Sequence, residues 1–62
     1  MFKINDRVVL NDLGNQTFGN IIFPMNAEGV VVKIDRESIE VNWDWDNTDS
    51  SVTIENRYVK IK

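Results

Sequence analysis

The pattern in residues 29–44 constrains the fold of this chain more than any other feature. Gly29 opens an apolar run rich in β-branched residues, and a short polar segment follows that run. Next, Ile39, Val41 and Trp43 alternate with polar residues, which is the period of a strand with one buried face. The segment is therefore predicted to form a β-hairpin.

The same pattern predicts which hairpin side chains enter the core. In a regular hairpin, alternate residues of the first strand share a face with the apolar residues of the second strand. On this basis the predicted core residues of the first strand are Val30, Val32 and Ile34. Val31 and Lys33 are then expected to face away from the core.

Three other short segments have strand character and complete a set of five predicted strands. These segments are residues 7–10, 51–54 and 58–61. The polar residues 55–57 suit a single 3₁₀ turn before the last strand. Residues 11–28 are predicted to form a long loop, whose apolar residues Phe18 to Phe23 fold back over one end of the core.

Composition limits the chemistry that the chain can perform. Its 62 residues predict a single domain, residues 1–62, near the lower size limit for a fold without cross-links. The absence of cysteine and histidine excludes disulfides, thiolate and imidazole metal sites, and a histidine base for a serine nucleophile. We therefore expect no enzymatic activity and no cofactor.

The charge of the chain is modest in total but uneven in distribution. The net charge is −3, and residues 39–55 contain five acidic residues and no basic one. These acidic residues are Glu40, Asp44, Asp46, Asp49 and Glu55. Phosphate backbones are bound by clustered lysine and arginine, so nucleic acid is a disfavoured partner. The simplest interpretation of residues 44–50 is a solvated loop between two strands.

Part of this loop has the spacing of a calcium-binding EF-hand. Asp44, Asp46 and Thr48 alternate, and Glu55 occupies the twelfth position. However, Asp49 stands where an EF-hand needs glycine, and no helical pattern flanks the loop. We therefore expect no metal site.

The aromatic residues offer a second kind of candidate site. Trp45 lies between two aspartates, where it either anchors a protein partner or caps a small core. A groove formed by Phe18, Trp45 and Tyr58 is a candidate docking site for an extended peptide. Trp43 has the parity of a core residue.

Three short motifs resemble the SH3-like barrel superfamily. Residues 6–10 are similar to the first strand of KOW-type and photosystem-accessory-type barrels, and residues 28–35 resemble their Gly-x-Val-x-x-Ile strand. Residues 55–61 resemble the end of eukaryotic SH3 domains, where Tyr58 matches a tyrosine of the peptide groove. The Ala-Leu-Tyr-Asp-Tyr segment of those domains is missing. The resemblance implies an all-β, five-stranded antiparallel SH3-like barrel.

The chain also resembles small orphan proteins of bacteria and their phages, which implies an accessory role. The leading hypothesis is a protein-interaction module. Its predicted contact residues are Phe18, Asp44, Trp45, Asp46, Asp49 and Tyr58. The alternatives are a nucleic-acid-binding KOW or Tudor-like barrel and an acidic mimic of nucleic acid that inhibits a host enzyme.

The sequence also leads to expectations about the location and the oligomeric state of the protein. The chain shows neither a secretory signal nor an apolar stretch approaching the ~20 residues of a membrane-spanning helix. We expect a cytoplasmic protein without a membrane partner. Unpaired edge strands leave a monomer and a weak homodimer both open.

Overall fold

A computed structural model describes residues 1–45 and 51–62 of the chain. In order, its elements are β1 (Arg7–Leu10), α1 (Asp12–Phe18), β2 (Glu28–Ile34), β3 (Ser38–Trp43), β4 (Val52–Glu55), the 3₁₀ turn Asn56–Tyr58 and β5 (Val59–Ile61). The strands form one antiparallel sheet in the order β4-β3-β2-β1-β5. The predicted strands and the 3₁₀ turn are confirmed.

The sheet is open, so the prediction of a barrel is confirmed only as far as a five-stranded antiparallel sheet. β4 and β5 lie at opposite edges of the sheet, and no backbone hydrogen bond between described residues joins them. The 3₁₀ turn carries the chain from one edge to the other, where β5 pairs with β1. With four and three residues, these edge strands are short.

The prediction of an irregular loop over residues 11–28 is wrong, because α1 occupies its first half. Asn11 caps the helix by accepting a hydrogen bond from the backbone N–H of Gly14 at 2.8 Å. Gly14 faces the 3₁₀ turn so closely that a Cβ atom there would collide with the carbonyl oxygen of Tyr58. The helix is therefore stabilised by docking, and its sequence shows no extended apolar period.

The rest of this segment folds back over the core, as predicted. Phe23 is 5% exposed. The chain reverses with Asn20 and Asn26 in the left-handed region, at φ of 59° and 57°. The side chain of Asn15 holds this reversal by accepting a hydrogen bond from the backbone N–H of Asn26 at 2.8 Å. Ile21 and Ile22, in contrast, point into solvent.

The core lies on one face of the sheet. Its buried residues are Val8, Leu10, Phe23, Ala27, Val31, Ile39, Val41, Trp43, Ile54 and Val59. The three core residues predicted in β3 are confirmed. In β2, the predicted core residues Val30, Val32 and Ile34 all lie outside the buried core, whereas Lys33 is exposed as expected. There, Val31 is fully buried and Val32 is exposed. A β-bulge between Val31 and Lys33 adds one residue to β2, so that Val31 lies opposite Val41 before the bulge, while Ile34 still lies opposite Ile39 after it.

Gly29 lies where β2 is enclosed on both sides. It pairs with Val8 of β1 and with Trp43 of β3. A Cβ atom at this position would lie 2.5 Å from Cγ1 of Val41 and 2.6 Å from the carbonyl oxygen of Asn42. Glycine is therefore required here by close packing of the sheet.

Candidate functional site

Aromatic rings form a continuous row of contacts between the surface and the core. Tyr58 packs edge-to-face on Phe18 at 4.8 Å between ring centroids, and Phe18 packs on Phe23 at 5.6 Å. Phe23 in turn contacts Trp43 at 5.0 Å and Trp45 at 5.8 Å. The predicted groove residues Phe18 and Tyr58 thus meet directly, while Trp45 joins them through Phe23.

An apolar pocket of about 260 Å³, called here the Phe18 pocket, opens beside this row. Its apolar lining consists of Phe18, Ile22, Phe23, Val52, Ile54 and Tyr58. The volume is below the roughly 300–1,000 Å³ of typical small-molecule sites and suits one or two apolar side chains. Ile22 forms an exposed part of the wall, whereas Trp45 lies outside the lining.

α1 and the 3₁₀ turn supply two walls of the Phe18 pocket, and Asn11 joins them. Besides capping α1, Asn11 donates a hydrogen bond from Nδ2 to the carbonyl oxygen of Arg57 at 2.8 Å. Its backbone N–H also donates to the carbonyl oxygen of Tyr58 at 3.0 Å. Phe18 and Tyr58 are therefore held at a fixed separation by contacts outside the pocket.

Asp44 lies in a surface ion-pair network and is not part of the Phe18 pocket. Its carboxylate pairs with the guanidinium of Arg7, which also donates from Nε to Glu28 at 2.6 Å. The ammonium of Lys62 lies 3.1 Å from the Glu28 carboxylate. Exposed pairs of this kind stabilise a fold by about 0–1 kcal/mol each. Asp44 thus has a structural role that its sequence context did not indicate.

The other acidic site residues are placed differently by the structure. Asp46 and Asp49 lie outside the described residues. Glu55 pairs with Ser38 at the far end of β3 from Asp44, so the length of β3, roughly 20 Å, separates the two carboxylates. The EF-hand spacing therefore does not bring its first and last positions together. Among the described residues, no three potential metal ligands form a group.

The ion-pair network predicts a pH dependence of stability. Hydrogen bonds from Arg7 and Lys62 lower the pKa of Glu28 below its ordinary value of 4.5. A carboxylate with a lowered folded-state pKa stabilises the protein above its unfolded-state pKa, and this contribution is lost as the pH falls through the folded-state value. We therefore expect the urea midpoint of Glu28→Gln to lie below that of the wild type near neutral pH. Near pH 3, the difference between the two midpoints should be smaller.

Glu37→Gln is the matched control for this measurement. The Glu37 side chain is exposed and makes no ion pair with a described residue. Its substitution should leave the midpoint within error at both pH values. Equal effects of the two substitutions would contradict a stabilising role for the network.

Sequence reasoning missed Ile22 and the contribution of β4 to the pocket. Ile22 belongs to an apolar run that predicts burial, yet the reversal after α1 leaves it 62% exposed. Val52 and Ile54 have the expected parity, but their position beside Phe18 depends on the strand order. The sequence signal that could have identified Ile22 was its place in an apolar run within a predicted loop.

Fold and site define a small β-rich protein with a five-stranded antiparallel sheet, one short helix and an apolar surface pocket. Within residues 1–45 and 51–62, no helix has the length and apolar character needed to cross a bilayer. Neither a family model, nor a curated protein, nor a solved structure matches the chain. The functional proposals below therefore rest on the fold and the site.

Proposed function

We propose that this protein is a non-enzymatic protein-interaction module that binds an apolar side chain of a protein partner in the Phe18 pocket. The observation that carries the proposal is the pocket itself, with an aromatic floor and an exposed wall at Ile22. Aromatic side chains in such pockets dominate the energetics of protein interfaces. The pocket's volume of about 260 Å³ favours a side chain over a larger ligand.

The finer fold assignment is also part of this proposal. Read from the other edge, the strand order is β5-β1-β2-β3-β4, and a 3₁₀ turn precedes the last strand. This connectivity supports membership of the SH3-like superfamily, which the sequence motifs also favour. Such folds commonly act by holding a partner, so the assignment agrees with an interaction role.

Trp45 extends the proposed surface beyond the pocket. Its side chain is 42% exposed and contacts Phe23, which also lies in the pocket lining. A partner segment that fills the Phe18 pocket and continues along the aromatic row reaches this ring. We therefore propose Trp45 as a second anchor, in keeping with the role predicted for it.

The alternatives draw less support from the charge distribution. Among the described basic residues, Arg7 and Lys62 pair with Glu28, and Arg57 pairs with Glu55 at 3.4 Å. Phosphate binding by these three residues would have to compete with these pairs, and the other four basic residues, Lys3, Lys33, Arg36 and Lys60, are scattered along the chain. A mimic of nucleic acid is weakened as well, because Arg7 neutralises Asp44.

Two substitutions at neighbouring positions test the proposed pocket. Ile22 lines the pocket, whereas Ile21 is 76% exposed and lies outside its lining. Immobilised protein is used to capture partners from a lysate of the encoding organism, with quantification by mass spectrometry. Ile22→Asp should reduce the captured partner about tenfold, and Ile21→Asp should leave it unchanged.

One result of this capture experiment would contradict the proposal. A partner captured equally by wild type and Ile22→Asp would overturn the assignment of the pocket. Trp45→Ala, measured in the same assay, tests the second anchor and should weaken capture by a smaller factor than Ile22→Asp. Circular dichroism of all variants checks that the exposed substitutions leave the fold intact.

A further inference from the structure

We propose that Arg7 is a positioning residue for Trp45, because it holds Asp44 on the outer face of the sheet and thereby keeps the Trp45 ring against Phe23. The inference rests on the proposed function, in which Trp45 is the second anchor for the partner. It deepens that function by naming a residue on which the anchor depends, although the Arg7 side chain lies on the face of the sheet opposite the core.

Asp44 and Trp45 follow directly after β3 and continue its alternation of faces. Trp43 is buried in the core, and the carboxylate of Asp44 pairs with Arg7 on the outer face. The ring of Trp45 lies on the core side again, with its centroid 5.8 Å from that of Phe23. Because the two residues are adjacent, the position of Asp44 determines the direction in which the Trp45 side chain leaves the backbone.

A second carboxylate lies beside Asp44 on the outer face. β2 and β3 pair Gly29 with Trp43, and one step further the backbone N–H of Asp44 donates to the carbonyl oxygen of Glu28 at 2.9 Å. Asp44 and Glu28 are therefore cross-strand neighbours, and both of their carboxylates bind the guanidinium of Arg7. Like charges in cross-strand positions repel each other, so Asp44 depends on a cation to remain in this place.

Arg7 supplies this cation with a suitable geometry. Its Nε donates to Glu28 at 2.6 Å, and Nη2 of the same guanidinium donates to Asp44. The planar guanidinium presents several donors in fixed directions, whereas the ammonium of a lysine is a point charge. Lys62 also pairs with Glu28, at 3.1 Å. Within residues 1–45 and 51–62, however, Arg7 is the only cation that pairs with Asp44.

A Trp45 ring that is already ordered binds a partner at a lower entropic cost. The side chain is 42% exposed, and Phe23 is its aromatic neighbour among the described residues. Ordering a mobile side chain at an interface lowers the affinity several-fold. Arg7→Ala should therefore weaken capture of the partner about threefold, even though Arg7 lies on the outer face of the sheet.

Nuclear magnetic resonance of the free protein tests the positioning directly. Arg7→Ala should lower the order parameter of the Trp45 backbone amide below about 0.6 and weaken the nuclear Overhauser effects between the rings of Trp45 and Phe23. Trp43 is the internal reference, because it is buried and its ring lies 5.0 Å from that of Phe23. Its amide should keep the order parameter of about 0.85 that is typical of rigid backbone.

Two further variants separate positioning from a general loss of charge. Lys62→Gln is the matched control, because it removes a cation that pairs with Glu28 and not with Asp44. It should leave the order parameter of Trp45 unchanged. Adding Glu28→Gln to Arg7→Ala removes the repulsion that the lost arginine leaves behind, so part of the order of Trp45 should return. No return of order would overturn repulsion as the reason for the dependence on Arg7.

The measurements in the free protein and the capture experiment decide different claims. If Trp45 stays ordered in Arg7→Ala, the inference is overturned whatever the capture shows. Equal loosening of Trp43 and Trp45, or equal effects of Arg7→Ala and Lys62→Gln, also overturns it, because Arg7 then only stabilises the fold.

The capture experiment adds a test of the connection to binding. If Arg7 acts through Trp45, Arg7→Ala should weaken capture no further in a protein that already carries Trp45→Ala. An additional loss in the double variant would contradict the inference. Capture that is unchanged by Trp45→Ala would instead overturn Trp45 as an anchor, which is a failure of the proposed function.

Discussion

Gly29→Val is expected to destabilise the protein by about 3 kcal/mol, at the upper end of the usual cost of overpacking. The added side chain begins with a Cβ atom 2.5 Å from Cγ1 of Val41 and 2.9 Å from Cα of Trp43. Part of this obstruction is backbone, which cannot move aside without breaking the pairing of β2 and β3. A domain of 62 residues is stable by roughly 3–9 kcal/mol, so the substitution is expected to remove roughly a third to all of the stability.

This prediction opposes the one made from strand propensity alone. Valine is a better strand former than glycine by up to about 1 kcal/mol. Urea denaturation followed by tryptophan fluorescence measures the effect, because Trp43 is buried. The control is Lys33→Val on the same strand, where the residue is exposed and the change should stay within about 0.5 kcal/mol. A Gly29→Val protein as stable as the wild type would contradict the close approach of β2 and β3.

Asn11→Ala is expected to lower the free energy of unfolding by about 2 kcal/mol. The substitution removes the cap of α1, worth about 1 kcal/mol, and the hydrogen bond to the carbonyl oxygen of Arg57. Asn11→Asp keeps an acceptor for the N–H of Gly14 but loses the donor to Arg57, so an intermediate loss is expected. Urea midpoints with unchanged slopes would measure both effects.

Thr17→Ala is the matched control in α1. The Thr17 hydroxyl donates to the carbonyl oxygen of Leu13 at 2.8 Å, a bond local to the helix. Alanine has the higher helix propensity, so the net change should be within about 0.5 kcal/mol. If Asn11→Ala proved as mild as Thr17→Ala, the docking of α1 on the 3₁₀ turn would contribute little to stability.

The sequence predicted elements whose pattern is local and missed features that depend on packing. The period of Ile39, Val41 and Trp43 is complete within one strand, so β3 and its buried face were predictable. The bulge in β2 was not, because it depends on how Val31 fits against two neighbouring strands. α1 was missed since its stability comes from contacts with a turn more than forty residues later.

The candidate site shows the same division. Phe18 and Tyr58 were predicted to contribute to an aromatic groove, and the structure places their rings in contact. The pairing of Asp44 with Arg7, 37 residues away, required the strand order to be known. The position of β4 at an edge of the sheet is likewise a property of the topology, since no residue type marks a strand as an edge. Local pattern thus indicated which residues to consider, and topology determined what surrounds them.

Phe23 links the Phe18 pocket to the core of the protein. The ring contacts buried Trp43, partly buried Phe18 and exposed Trp45. Any substitution that reshapes the pocket floor therefore also disturbs the core of a domain with little stability to lose. Rim positions such as Ile22, which is largely exposed, can be substituted with less effect on folding. In so small a chain, the same few aromatic rings contribute both to the core and to the surface, so substitutions that spare the core are limited to residues around these rings.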